Sequence, residues 1–300
     1  MINGIVVVDK EPGYTSHDVV AKLRGICGQK KIGHTGTLDP QATGVLPVCL
    51  GSATKLCDML TDRDKEYVAE LLLGVETDTQ DVTGEVFQRR PVEMRETEVR
   101  RACESFTGRY EQVPPMYSAL KINGRKLCDL AREGKEVERK ARPVTIYELE
   151  ILECSLPVVK MRVACSKGTY IRTLCDDIGR ALGCGGAMKS LRRTKAGGFT
   201  LKEAFTLEQL QQLKDQGRLT DIVRPVDSVF EEFPLLHVDS GYEGLLENGN
   251  VLAPSQTVEG EVHAPGRWVR LYRQDGRFAG IYAYDREKMR YRPVKMFLDR

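Results

Sequence analysis

GHTGTLDPQATGVLP, residues Gly33 to Pro47, holds three glycines, two prolines, one histidine and one carboxylate within fifteen positions. Its apolar residues follow neither a helical nor an alternating period, so the stretch reads as a loop. Asp39 stands between Leu38 and Pro40, and a residue before proline is biased toward extended backbone. Aspartate also bonds its own backbone in turns, so local chemistry supports no more than a turn aspartate, with His34 as a turn histidine. The surrounding chain decides what such a loop holds.

Outward from the loop, strands and helices mix. GIVVVDK (4–10) reads as a strand, and Ser16 reads as the cap of a helix with Val19, Val20, Leu23, Ile26 and Cys27 on one face. KEYVAELLLG (65–74) predicts a strand, EMRETEVRRACESFTG (93–108) a charged helix ended by glycine, and VTIYELEIL (144–152) with VVKMRVACS (158–166) two neighbouring strands. TYIRTLCDDIGRALG (169–183) has Ile171, Leu174, Ile178 and Leu182 at helical spacing and Gly183 as its stop. Without a regular βαβ rhythm, the expected class is α+β with a large, mostly antiparallel sheet flanked by helices. TLEQLQQLKDQG (206–217) and the connector RPVDSVFEEFP (224–234) lead to a second unit, expected over 231–300 after a first unit of 1–230. Its short segments HVD, WVRLYR, FAGIYAY and RPVKMFL, separated by turn residues, suggest a small β-barrel or sandwich.

The 300 residues are 41% hydrophobic, enough for a substantial core, and contain no apolar run long enough to cross a membrane as a helix. MINGIVVVDKEPG at the start meets Asp9 and Lys10 after four apolar residues, so neither a secretory nor a transit segment is expected. Nine cysteines without a C-x-x-C pair suggest reduced thiols and a cytoplasmic location. The formal charge of +2 is unevenly spread: residues 61–88 carry two Lys/Arg against eight Asp/Glu, 89–142 fourteen against nine, and 160–202 ten against two. Residues 203–265 then carry three against twelve, and 266–300 ten against four. Basic blocks on a near-neutral chain suit a polyanion partner, because phosphate contacts supply much of the affinity.

Several chemistries lack their anchors. There is no G-x-x-x-x-G-K-[ST], no G-x-G-x-x-G after a strand and no G-x-S-x-G. Histidines 17, 34, 237 and 263 pair with no cysteine or carboxylate at ligand spacing, so no metal is expected. A hydrolase with paired carboxylates is disfavoured, because Asp39 has no partner acid in its motif.

HTGTLDPQATGVLPVCLGSATK (34–55) resembles the active-site loop of the TruB family of tRNA pseudouridine synthases, which convert the T-loop uridine at tRNA position 55. Further motifs follow in the family's order: DKEPGYTSHDVV (9–20), DKEY (64–67), VPPMYSALKINGRKL (113–127), AREGKEVER (131–139), CSKGTYIRTLCDDIG (165–179) and LRRTKAGGF (191–199). Two positions depart from the common pattern. Glu11 separates Lys10 from Pro12, and Cys128 stands where relatives often have an aromatic.

The resemblance implies a pseudouridine-synthase fold with a PUA-like barrel at the C-terminus, and a cofactor-free, metal-free isomerisation. It implies Asp39 as the reacting carboxylate, Arg172 as its partner and Tyr67 as the stacking tyrosine, together the catalytic set. Tyr170, Leu191 and Lys10 match further substrate-site positions, and His34 the residue that fills the space left by a flipped base. A guanidinium beside a carboxylate favours its charged form and orients it. An extruded base needs an aromatic surface to replace lost stacking. Lys121, Arg125, Lys126, Arg132, Lys135, Arg139, Lys140 and Arg142 fall in an insertion, about 114–142, that closes over the T-arm in bacterial members, with Gly124 and Gly134 as its expected points of movement. The implied partner is the tRNA T-arm stem-loop, with no membrane and no obligatory protein partner. A non-catalytic RNA-binding or RNA-folding protein and a guide-RNA-dependent relative share parts of this pattern. Attack at C1′, attack at C6 and a glycal route remain open alternatives.

Overall fold

A computed structural model describes residues 1–298; Asp299 and Arg300, the end of the expected 231–300 unit, lie outside the described residues. The chain opens with β1 (Gly4–Lys10), α1 (Ser16–Cys27), β2 (Ile32–His34), β3 (Thr43–Leu50), α2 (Cys57–Thr61) and β4 (Lys65–Leu73). Strand β1 is buried on both faces. Ile5 and Val7 join a cluster with Val45, Cys49 and Phe230, while Val6 and Val8 join another with Val19, Leu23, Leu46 and Leu210. The cap of α1 is Thr15 rather than Ser16. Thr15 Oγ1 accepts from the Asp18 N–H at 3.1 Å, the Asp18 carboxylate accepts from the Thr15 N–H at 2.8 Å, and Ser16 turns inward.

Both ends of the opening stretch are also more regular than its composition suggests. Gly33 and His34 end β2, and TGVLP begins β3. Val45, Leu46 and Val48 are fully buried there, and that burial overrides the poor strand propensity of Gly44 and Pro47. Only 35–42 is left as the loop proper.

Next come the hairpin β5 (Val75–Thr77) and β6 (Val86–Arg89), α3 (Glu96–Glu104), β7 (Gly108–Gln112), the hairpin β8 (Lys121–Ile122) and β9 (Arg125–Lys126), α4 (Leu127–Arg132), β10 (Arg142–Ser155) and β11 (Val158–Cys165). The remainder comprises α5 (Ile171–Ala181), β12 (Gly186–Ala196), β13 (Phe199–Thr200), α6 (Leu207–Asp215), β14 (Leu235–His237), α7 (Glu243–Glu247), β15 (Trp268–Tyr272), β16 (Phe278–Asp285) and β17 (Arg290–Met296). The expected helices are present with trimmed ends, since caps and turns take the outer residues, and the expected strands are present, with β10 running longer than expected.

A nine-stranded sheet runs β1-β3-β12-β4-β11-β10-β7, with β2 paired to β3 and β13 to β12. Its pairings are antiparallel except β3 with β12. In β4 and β11, Tyr67, Ala69 and Leu71 face Met161 and Val163 on one side of the sheet, where α3 and α5 cover them with Val99, Cys103, Ile171, Leu174 and Ile178. The other side carries Glu66, Arg162, Glu148 and Glu150, linked by ion pairs of 2.6–3.5 Å. The fold is therefore the mixed α+β class with a large mixed sheet.

A separate sheet, β14-β15-β16-β17, follows, its first pair parallel and the others antiparallel. It is not isolated from the first. Phe230 lies against Phe278 and Phe297, with ring centroids 6.2 and 6.1 Å away, in the cluster that also holds Ile5 and Val7. Lys295 closes the seam with Asp58 at 2.6 Å.

The parallel pairing brings two backbones close together. Gly44 has φ +101°, and a Cβ added there would lie 2.2 Å from the Arg193 carbonyl oxygen. Gly44→Ala is expected to cost at least about 2 kcal/mol in urea denaturation, through strain at a special backbone position. A loss below about 0.5 kcal/mol would show that the two strands can part at this point.

Candidate active site

Asp39 sits in the 35–42 loop between β2 and β3, and several contacts shape its backbone. Ser16 Oγ accepts from the Leu38 N–H at 2.9 Å, the Asp39 carbonyl accepts from the Ala42 N–H at 3.1 Å, and the Pro40 carbonyl accepts from the Gly13 N–H at 3.0 Å. Lys10, fully buried, donates from Nζ to the same Pro40 carbonyl at 3.0 Å. Lys10 thus reaches the loop although Glu11 intervenes before Pro12. Burial holds its ammonium down at about 8, against the opposing pull of the Asp39 charge.

Arg172, on the first turn of α5, meets Asp39 with two nitrogens. Nε stands 2.9 Å from Oδ2, and Nη2 donates to Oδ1 at 3.3 Å. The guanidinium is itself fixed: Nη1 donates to the Thr79 carbonyl at 3.0 Å and Nη2 to the Tyr117 carbonyl at 2.7 Å. Asp81 adds a carboxylate 3.8 Å from Nη1. Arg172 is 6% exposed at its side chain and Asp39 is 36% exposed, so the cation is enclosed while the carboxylate faces an opening. Burial pushes the Asp39 carboxyl above the usual carboxylate range, Arg172 pulls it back, and Asp81 adds to the rise.

Tyr67 on β4 and Leu191 on β12 lie in the same buried cluster as Leu38 and Ala42, the apolar residues flanking Asp39. Burial pushes the Tyr67 phenol up, leaving it protonated at neutral pH. Tyr170 immediately precedes α5, and its backbone is gripped by Gln112. The side-chain oxygen of Gln112 accepts from the Tyr170 N–H at 2.8 Å, and its nitrogen donates to the Tyr170 carbonyl at 3.0 Å. His34 lies edge-on to His17 with centroids 5.3 Å apart, and burial lowers its imidazole from the ordinary value.

Asp39, Arg172, Tyr67, Leu191 and Lys10 thus converge from the loop, α5, β4, β12 and β1. Asp81, Gln112 and Ser16 do not stand out as supporting residues in the sequence. Asp81 is one acid in an acidic run, Gln112 carries no motif, and Ser16 resembles a helix cap. A carboxylate held by a fixed guanidinium, partly open, over an apolar floor with one phenol can act as nucleophile or base on a flat polar ring.

The 113–142 segment is folded as a hairpin and a short helix. Asn123 and Gly124 both have positive φ, forming the tight Asn-Gly turn between β8 and β9, and Gly134 closes the turn after α4. Both glycines are therefore committed to turns. Lys121, Lys126, Lys140 and Arg142 are exposed. Arg125 and Lys135 pair with Glu133, Arg132 with Asp129 at 3.5 Å, and Arg139 with Glu136 at 3.1 Å while donating to the Pro114 carbonyl. Among the described residues no group of three His, Cys, Asp or Glu side chains is arranged to hold a metal, and no helix is long and apolar enough to cross a membrane.

Two family models match the chain in succession: the TruB family pseudouridylate synthase N-terminal domain over residues 24–171, and the tRNA pseudouridylate synthase B C-terminal domain over 172–231. The tRNA pseudouridine synthase B of Lachnoclostridium phytofermentans is 50% identical, with 99% of this chain and 100% of that protein covered. The protein of the same name from Clostridium kluyveri is 41% identical at the same coverage. Among solved structures, a Cbf5-Nop10-Gar1 complex contains a chain with TM-score 0.75 and 29% identity, covering 99% of this chain and 85% of that one. A chain of an H/ACA RNP bound to a substrate RNA containing 2′-deoxyuridine gives TM-score 0.73 and 26% identity, covering 99% and 86%. With consecutive family models from residue 24 to 231 and relatives up to half identical along nearly the whole chain, the protein belongs to the TruB family of pseudouridylate synthases.

Proposed function

We propose that the protein isomerises a uridine of tRNA to pseudouridine, that the target is position 55 in the T-arm loop, and that Asp39 is the reacting carboxylate. The observation that carries this reading is the two-nitrogen contact of Arg172 with a partly open Asp39 above Tyr67 and Leu191. The likeness to proteins named tRNA pseudouridine synthase B supports the substrate class.

The reaction breaks the bond between ribose C1′ and N1 and forms one between C1′ and C5. C5 loses a proton and N1 gains one, so no electrons or external groups are exchanged. Asp39 acts ionised, by attack on the nucleotide or by taking a proton from it. Arg172 keeps the carboxylate oriented throughout. A base paired or stacked in the T-loop is out of reach, so the uridine must be flipped onto Tyr67, with His34 in the space it leaves. Exposed Lys121, Lys126, Lys140 and Arg142 would meet backbone phosphates, and Arg125, Arg132 and Arg139 would exchange their carboxylates for phosphate on binding. No obligatory protein partner is needed on this reading. A bare T-arm stem-loop converted by the purified protein distinguishes it from a guide-dependent or non-catalytic role.

Asp39→Asn is expected to abolish pseudouridine formation while leaving the tRNA Kd within about threefold, since the amide keeps the shape and loses the charge. Mapped pseudouridine from that variant at more than about 1% of the wild-type rate would remove Asp39 from the chemistry.

Acidification should reduce the single-turnover rate with an inflection above the value of about 3.9 for a free aspartate, because burial raises the Asp39 carboxyl. Arg172→Met removes the opposing charge and should move the inflection further up. A raised carboxyl stabilises the fold as pH falls, so this group's effects on rate and stability have opposite signs. An inflection unmoved by Arg172→Met would contradict the electrostatic role of Arg172.

Hydrogen exchange across residues 115–142 should slow on adding tRNA, as hairpin and helix are pinned by phosphate contacts. Unchanged exchange under saturating tRNA would exclude this segment from the RNA interface.

A further inference from the structure

Two adjacent arginines of LRRTKAGGF part company in the sheet. Arg192 points to the polar side, where it pairs with Asp9 at 2.7 Å. Arg193 points inward, is 1% exposed, and among the described residues has no carboxylate within ion-pair distance. Its backbone sits between Gly44 of β3 and Tyr67 of β4. A buried guanidinium without a carboxylate is costly, so its hydrogen bonds locate its purpose. Nε donates to the Val45 carbonyl at 2.7 Å and Nη2 to the Gly36 carbonyl at 3.3 Å. Those carbonyls flank Asp39 on both sides, three residues before it and six after it.

We infer that Arg193 is a positioning residue for the reaction: its guanidinium clamps both limbs of the Asp39 loop to the strand that pairs with Tyr67. This rests on Asp39 and Tyr67 having the roles proposed above. Arg172 fixes the carboxylate from the front, and Arg193 fixes the backbone that carries it from behind. Its charge also acts on neighbouring groups, opposing the effect of burial on the Tyr67 phenol and lowering Lys10 and His34. Being enclosed, Arg193 cannot touch RNA, so its loss should alter the rate and spare binding. A displacement of the reacting group by about 1 Å can cost about 100-fold.

The test measures single-turnover pseudouridine formation, tRNA Kd and thermal unfolding for the wild type, Arg193→Met and Arg193→Lys. Arg193→Met, similar in length and uncharged, should lose about 100-fold in rate with Kd within threefold and a folded state at the assay temperature. Arg193→Lys, with its charge and one bond to the loop, should recover about tenfold of that loss and stay about tenfold below the wild type. A folded Arg193→Met within threefold of the wild-type rate overturns the inference, as does a rate loss matched by Kd, or a lysine variant no better than methionine. If Arg193→Met does not fold, Arg193→Lys decides. A rate tenfold below wild type at unchanged Kd supports the clamp, whereas the wild-type rate overturns it, and so does failure of both variants to fold. Wild-type protein that makes no pseudouridine would instead refute the proposed function, so the two failures are distinguishable.

Discussion

Strand β12 lies between β3, which it pairs in parallel, and β4, which it pairs antiparallel, and this insertion joins the two parts of the nine-stranded sheet. The parallel contact involves only Arg192 with Thr43 and Arg193 with Gly44, and it closes where the glycine admits the neighbouring backbone. Asp39 is four residues before that pairing. The loop is thus anchored beside the join between β1-β3 and β12-β4, and Leu38 and Ala42 pack into the core that holds Tyr67 and Leu191.

The electrostatics of the site follow from that enclosure. Three cationic side chains with little exposure, Lys10, Arg172 and Arg193, surround a loop that bears one carboxylate. They divide the work by geometry: Arg172 meets the carboxylate, Lys10 the Pro40 carbonyl, and Arg193 the carbonyls of Gly36 and Val45. Burial raises the Asp39 carboxyl, and the Arg172 charge limits that rise. The loop is held at its carbonyls by Lys10, the Gly13 N–H and Arg193, and at its carboxylate by Arg172.

The basic insertion follows a different physical logic. Most of its charged side chains are exposed, and four of its cations pair with acids within the same segment. Exposed pairs of this kind contribute little to stability and exchange readily with another anion. The segment can thus keep a defined shape without RNA and still offer its charges to phosphate.

Much of the architecture was legible in the sequence, because periodicity is a local property: alternation in β4 and β11, the helical stripe of α5, and the turn residues between the C-terminal strands. The family resemblance likewise singled out Asp39, Arg172, Tyr67 and Leu191, which the fold brings to one place from four elements. Local reading failed where burial overrode propensity, as in the strand TGVLP, or where two residues could serve one role, as with Thr15 and Ser16 at the cap. It could not separate Arg192 from Arg193, identify Asp81 and Gln112 as supports, or tell paired from free cations in the insertion. Those distinctions depend on which face of a strand is covered and which distant carbonyl or carboxylate lies within about 3 Å. The sequence determined which elements form and which chemical groups are available. Tertiary structure decided their partners, because hydrogen bonds and charges act over distances that only the folded sheet brings together.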